Sequence, residues 1–256
     1  MSTERLPMGA DHVRYRHLGG LRRKARRPGA ATRRSSVRRV LKLTPDELLT
    51  TTRAVRRRLD FDRPVPRDLI RECVATALQA PSGSNQLSMQ FVVVTDRDKR
   101  AAVGELYSQC YEIYKSLDGV YVGSITKPTD AENAQQKRVQ TSADFLGEHM
   151  GEAPALVIAC HQGGRVDGVP AMLSASMLGN VLPAMWNFML AARARGLGTA
   201  WTTLHLMKEQ EVAEVLGIPF GDVQQTCLSP LAYTVGTDFK PAMRPDPETI
   251  IHWDGW

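Results

Sequence analysis

The chain is 256 residues long, 43% apolar, and carries a formal net charge of +6. That length accommodates one large domain with a proper core, and no uninterrupted apolar run reaches membrane-spanning length, so a soluble protein is expected. The cysteines Cys73, Cys110, Cys160 and Cys227 are scattered without a CxxC pair, and among His149, His161, His205 and His252 none pairs at metal-ligand spacing. This pattern fits reduced thiols in the cytoplasm better than a disulfide framework or a zinc site.

The charge is concentrated at the start. Residues 1–42 carry thirteen Lys or Arg against two acids, a net of +11, and the remainder is mildly acidic at −5. Residues 1–40 are poor in large apolar side chains and rich in Arg, Gly and Ser, which reads as a disordered basic tail. Contact with nucleic acid or an anionic membrane, an organelle-targeting peptide, and a plain solvated extension all fit that composition. The high Arg-to-Lys ratio and abundant Ala and Val resemble a high-GC bacterial genome, which argues against the organelle.

The second unit, 41–256, opens on Thr44-Pro45-Asp46-Glu47, an N-cap, a first-turn proline and a capping-box Glu. A helix is predicted from there to about Arg57. A second helix starts at Pro66, with Leu69, Ile70, Cys73, Val74, Ala77 and Leu78 on one face, and stops at Ala80-Pro81. Gln90 to Thr95 reads as a strand, and Arg97 to Leu117 as a helix. The polar stretch 118–136 is expected to be a mobile segment, followed by a short helix at 137–149 and a strand from Ala155 to His161. A long apolar helix spans Met172 to Arg195 and ends at Gly196. A strand at Thr199–Thr203, a helix at Lys208–Leu216 and a strand at Leu228–Val235 complete the series. Long helix-rich stretches separate the strands, which favours an α+β fold with an antiparallel or mixed sheet over a doubly wound one.

No P-loop, GxSxG elbow, HExxH or GxGxxG turn is present, and Gly196-Leu197-Gly198 is a lone GxG. Any nicotinamide must therefore be a transient substrate, and redox chemistry would need a tightly held cofactor. The arginines Arg53, Arg56, Arg57 and Arg58 precede the small polar loop Pro81-Ser82-Gly83-Ser84-Asn85, which leads directly into a strand. Guanidinium forks grip phosphate, and such a loop allows close approach to a flat heterocycle. A solvated helix face and an ordinary helix-to-strand turn are the plain alternatives; Arg58 is expected to face solvent.

From residue 44 onward these motifs resemble the FMN-dependent NAD(P)H nitroreductase family. The family's Arg-Arg-Ser-x-Arg motif corresponds to Thr52-Arg53-Ala54-Val55-Arg56, which lacks the first Arg and the Ser; Arg57 is the candidate replacement. Its Ala-Pro-Ser-x-x-Asn loop matches Ala80 to Asn85, whereas the following Gln-Pro-Trp is Leu87-Ser88-Met89 here. Asn187 to Gly198 is similar to the central helix and its Gly-Leu-Gly end, Trp201-Thr202-Thr203 falls at the flavin-edge strand, and Lys240 with Arg244 resembles the terminal basic pair.

The resemblance implies an α+β, mainly antiparallel sheet flanked by helices and an interlocked homodimer with two FMN sites, each built from both chains. It also implies ping-pong reduction of nitroaromatic or quinone-like acceptors by NADH or NADPH. Cofactor contacts are expected from Arg53, Ala54, Arg56, Arg57, Pro81, Ser82, Gly83, Ser84, Asn85, Trp201, Thr202, Thr203, Lys240 and Arg244. Arg56 and the amides near Thr202 and Thr203 are the candidates for stabilising charge on the flavin. Met89, Tyr107, Tyr111, Tyr114 and Phe145 are the candidate acceptor contacts, no side chain is nominated as catalytic, and the replaced Gln-Pro-Trp suggests a roomy pocket. Reductive dehalogenation and a nucleic-acid-associated flavoprotein are the alternatives, although no evident Glu-Glu-x-x-Tyr lid or base-reading pattern supports them. The apolar C-terminal stretch ending in Ile250, Ile251, Trp253 and Trp256 needs a covering surface, its own domain or a partner.

Overall fold

The computed structural model describes residues 40–256; the expected disordered tail lies outside the described residues except for its last position. Six helices appear in that range, α1 (Pro45–Thr51), α2 (Arg67–Ala77), α3 (Arg97–Lys115), α4 (Asp130–His149), α5 (Ala171–Ala194) and α6 (Glu209–Leu216). Five strands accompany them, β1 (Leu59–Asp60), β2 (Met89–Val94), β3 (Ala155–Gln162), β4 (Leu197–Thr199) and β5 (Val223–Thr234). The fold is α+β. β3 pairs with β2 on one side and β5 on the other, while β1 and β4 pair with the far end of β5, all antiparallel.

β3 alternates between two cores because helices cover both faces of the sheet. Ala155, Val157 and Ala159 join Leu69, Ile70, Cys73, Val181, Met185 and Phe188 from α2 and α5. Leu156, Ile158 and Cys160 join Val103, Tyr107, Leu146 and Val212 from α3, α4 and α6. One β-bulge interrupts the β3–β5 ladder between Ala159 and Cys160, where Thr226 Oγ1 donates to Ala159 O at 2.8 Å.

Several boundaries differ from the sequence reading. The capping box of α1 forms as expected, Thr44 donating its N–H to Glu47 Oε2 at 2.7 Å and accepting from Glu47 N at 3.2 Å. The helix nevertheless ends at Thr51, not Arg57. Thr50, Thr51 and Thr52 each turn a hydroxyl back onto the carbonyl four residues earlier, at 2.6 Å, and three β-branched residues in a row favour leaving the helix. The chain then runs alongside β4, with Val55 N donating to Thr199 O at 2.8 Å.

α4 begins at Asp130 instead of Lys137, because Thr129 and Glu132 form a second capping box. The strand expected at Thr199–Thr203 is shorter and earlier, although Thr202 still bridges to Leu228. β5 starts five residues before its expected position. Its polar opening is buried against Glu209, which accepts from Gln225 N at 2.8 Å, Gln224 Nε2 at 3.0 Å and Arg165 Nη2 at 2.8 Å. Of the expected α2 face, Leu78 is exposed.

Candidate active site

Leaving the helix early is what separates the arginines. On a helix Arg53 and Arg56 would lie on one face; the extended, bent backbone sends them to different partners. Arg53 Nη1 donates to Lys240 O at 2.8 Å, whereas Arg56 lines a cavity of about 510 Å3. Tyr107, Tyr111 and Tyr114 of α3, Leu117, Val120 and Val122 of the following turn, Val139 and Ala143 of α4, and the 201–204 segment complete its walls. Arg56 Nη1 donates to Ser142 Oγ at 3.3 Å, and no carboxylate among the described residues pairs with it. Burial pushes the guanidinium below its ordinary value. A cation held in an aromatic cavity without a counter-ion is suited to receive an anionic or electron-rich ligand.

The tyrosines form a ladder across this cavity, with centroid separations of 6.3 Å for Tyr107 and Tyr111, 5.7 Å for Tyr111 and Tyr114, and 5.3 Å for Tyr114 and Tyr121. Tyr111 and Tyr121 both donate to Asp144 Oδ1, at 2.9 and 2.7 Å. Val122 is held at both ends, its N–H donating to Tyr114 Oη at 2.8 Å and its carbonyl accepting from Gln136 Nε2 at 2.8 Å. The segment expected to be mobile is thus pinned over the cavity by side chains of α3 and α4. Gly147 makes room for this packing, since a Cβ there would fall 2.5 Å from Tyr111 Cδ1. Tyr107 Oη lies 3.2 Å from Thr202 Oγ1. Burial raises the phenol pKa of Tyr107, Tyr111 and Tyr121, so each stays protonated near neutrality and can donate a hydrogen bond.

Beside Arg53, the stretch 235–240 is held through its carbonyls. Arg58 Nε donates to Val235 O at 2.9 Å and Nη2 to Asp238 Oδ1 at 2.6 Å, and Arg193 Nη2 donates to Thr237 O at 3.0 Å. The Phe239 ring contacts both guanidiniums, its centroid 4.3 Å from Arg58 Cζ and 4.8 Å from Arg193 Cζ. Arg58 is therefore a half-buried, ion-paired side chain and not the solvent-facing one expected. Arg57 is exposed. Lys240 and Arg244 are exposed too, Arg244 reaching only its neighbour's carbonyl at 3.5 Å.

A family model for the nitroreductase family matches residues 49–237. The chain belongs to the nitroreductase family. Membership places it among oxidoreductase-type flavoproteins. Comparison with curated proteins finds no match. Among solved structures it is similar to an iodotyrosine deiodinase bound to FMN and 3-iodo-L-tyrosine, at 18% identity and a TM-score of 0.60 over 82% of this chain and 99% of that one. It is also similar to a BluB-like flavoprotein from Clostridium difficile 630, at 20% identity and a TM-score of 0.59 over 82% and 99% of the two chains. The FMN and NADPH-dependent nitroreductase NfnB from Sphigopyxis sp. strain HMH matches at 20% identity and 0.57 over 84% and 100%. At these identities the likeness is one of fold.

The nitroreductase motifs do not all meet within one chain. The loop Pro81–Asn85 sits on α5, where Asn180 Oδ1 accepts from Gly83 N at 2.5 Å and Asn180 Nδ2 donates to Ser88 Oγ at 3.2 Å. Ser84 and Asn85 occupy the left-handed region at φ 53° and 55°, strain of about 1–3 kcal/mol each that the surroundings must sustain. None of these loop residues lines the Arg56 cavity, whereas Trp201, Thr202 and Thr203 do.

Other expected contacts are redirected. Thr202 N–H donates to Leu228 O at 2.9 Å, so that amide is committed to the sheet; its hydroxyl, near Tyr107, remains in the cavity. Ala54 is exposed and bridges Thr199. Met89 is buried in the α2/α5 core, because the first residue of β2 points inward and not into the cavity. Phe145 faces the other side of α4 and stacks on Phe61 at 6.1 Å, leaving Ala143 and Leu146 to line the cavity. Sequence reasoning missed Asn180, Tyr121, Asp144 and Arg193. Asn180 had a readable signal, a lone polar residue in the apolar run Met177–Pro183.

Proposed function

We propose that this chain is an FMN-dependent oxidoreductase that takes reducing equivalents from NADH or NADPH and passes them to nitroaromatic or quinone-like acceptors. The observation that carries the reading is Arg56, a guanidinium with no carboxylate partner among the described residues, in a cavity of about 510 Å3 walled by aromatic and aliphatic side chains. That volume falls within the roughly 300–1,000 Å3 of cofactor and small-ligand pockets. Bound FMN would supply the two-electron chemistry. Arg56 would stabilise negative charge on that group, and the Thr202 hydroxyl would help to orient it. Arg53, Arg57, Lys240 and Arg244 would hold its phosphate. Tyr107, Tyr111 and Tyr114 present apolar faces to a flat acceptor while the pinned 117–124 turn limits water entry. No side chain acts as a general acid, because solvent protonates the reduced product.

The second copy of the chain completes the site. The strained loop Pro81–Asn85 lies outside the cavity wall, and α5 exposes Met172, Leu173 and Trp186. The C-terminal stretch exposes Ile250, Trp253 and Trp256. Apolar groups in such numbers call for a covering surface, and a homodimer provides it while bringing the partner's loop to the flavin. The four thiols are free and buried, which suits the cytoplasm. No helix among the described residues is long and apolar enough to cross a membrane. The reading assigns no specific nucleic-acid partner.

Purified protein should be yellow and carry about one non-covalent FMN per chain. It should oxidise NADH or NADPH with several nitroaromatics and quinones. A colourless protein that fails to take up added FMN overturns the reading, and halide release from a halotyrosine at far higher kcat/KM than any nitro reduction replaces the acceptor class with dehalogenation.

A further inference from the structure

The stretch Val235–Lys240 follows β5 as coil, yet four of its carbonyls accept hydrogen bonds from three arginines, two on the coil between α1 and β1 and one on α5. Arg53 reaches Lys240 O at 2.8 Å, Arg58 reaches Val235 O at 2.9 Å and Asp238 O at 3.5 Å, and Arg193 from α5 reaches Thr237 O at 3.0 Å and Thr51 Oγ1 at 3.2 Å. Gly236, at φ 75°, permits the closest approach, since a Cβ there would fall 2.7 Å from Arg58 Nη2. Arg53, Arg58 and Arg193 thus hold one short segment that carries Lys240 at its end, and Asp238 is the one carboxylate among the described residues paired with any of these four cations. Arg193 is 4% exposed, and its Nε and Nη1 have no hydrogen-bond partner. A buried guanidinium with two unpaired donors is costly unless its charge is used nearby.

We propose that Arg58 and Arg193 are positioning residues for the phosphate end of the cofactor: by gripping Val235, Thr237 and Asp238, with Phe239 against both guanidiniums, they fix Lys240 beside Arg53, so that the two cations present a preformed anion site. The inference rests on the proposed FMN reading. Its physical basis is conformational. Without the two grips the segment samples many conformations, the competent one becomes a small fraction, and the apparent affinity for phosphate falls by that fraction. The isoalloxazine end, held at Arg56 and Thr202, is unaffected.

The test compares dissociation constants for FMN and for riboflavin, which lacks the phosphate, by flavin fluorescence. Wild-type protein should prefer FMN, and Arg53→Ala should erase most of that preference by direct loss of a ligand. Arg58→Met and Arg193→Met should each reduce the FMN preference about tenfold, with riboflavin affinity within about threefold of wild type. Arg58→Lys, which keeps a charge without the fork, should restore part of it. If both Met variants keep the full preference while Arg53→Ala loses it, or if FMN and riboflavin weaken equally, the positioning role is overturned and the FMN reading stands. If wild-type protein binds FMN and riboflavin alike, the phosphate assignment itself fails. Should Arg193→Met not fold, Arg58→Met decides alone, its side chain being 39% exposed.

Discussion

Arg56→Met separates a binding role from a folding role, because the two predict opposite patterns. Among the described residues Arg56 makes one hydrogen bond, 3.3 Å to Ser142 Oγ, whose length puts it at the low end for a charged donor, about 1.5 kcal/mol. Burial penalises its charge, and methionine removes that penalty while keeping an unbranched apolar stem. The terms oppose each other, so the net change should stay within about 1 kcal/mol, or roughly 2–4 °C in Tm for a domain of this size. With flavin the balance shifts. A charged donor to the cofactor contributes about 1.5–3 kcal/mol, which is roughly a ten- to hundredfold weaker Kd at 1.4 kcal/mol per decade. If the guanidinium favours the reduced, more anionic form by that amount, the two-electron potential should fall by about 30–60 mV. Thermal melts of apo protein, FMN titration and potentiometry measure the three quantities. Wild-type FMN affinity and potential in a normally melting variant would refute the assignment, and a Tm loss well beyond 4 °C would show that Arg56 is chiefly structural.

Three further outcomes follow from packing and charge. His205 is fully buried with both ring nitrogens unpaired, and burial lowers its pKa to about 3. The unfolded chain therefore binds the extra proton between about pH 6.5 and pH 3, so His205 should cost stability progressively as pH falls through that window, up to about 5 kcal/mol; His205→Leu should flatten that limb of a pH–urea titration, and an unchanged slope refutes it. Gly147→Ala places a methyl 2.5 Å from the Tyr111 ring and should destabilise by about 1–3 kcal/mol, with Tyr111→Ala relieving the clash in a double-mutant cycle. A chain starting at Val40 should keep FMN, dimerisation and NAD(P)H oxidation, as judged by absorbance, light scattering and turnover; loss of any of these shows that the tail belongs to the fold.

The elements written in local chemistry were legible from the sequence. Thr44 and Glu47 announced α1, the period of Leu69, Ile70 and Cys73 announced α2, and the apolar run of β3 announced a buried strand. The order of the four nitroreductase-like motifs identified the family before any coordinates. Where the reading failed, distant groups outweighed local preference. Thr50–Thr52 ended α1 by back-bonding, and pairing with β4 gave the following residues somewhere to go. Gln224 and Gln225 look like loop residues until Glu209 of α6 receives their hydrogen bonds. The Thr129–Glu132 box was local and simply overlooked beneath a polar composition.

The site divides in the same way. Residue type marked the arginine cluster, Arg53 and Arg56 included, as candidates for an anionic ligand, since guanidinium forks suit phosphate, while Thr202 entered through the family resemblance. Which arginine goes where was a tertiary matter: a helix would have aligned Arg53 with Arg56, and the extended chain instead sent one to Lys240 and the other among the tyrosines. Met89 and Phe145 illustrate the converse, since nothing in a strand's or helix's own sequence says which of its two apolar faces meets a cavity. The Tyr121–Asp144–Tyr111 junction and the contacts of Arg58 and Arg193 with Phe239 join residues 23 to 181 positions apart, and such contacts exist only once both cores have closed on the sheet.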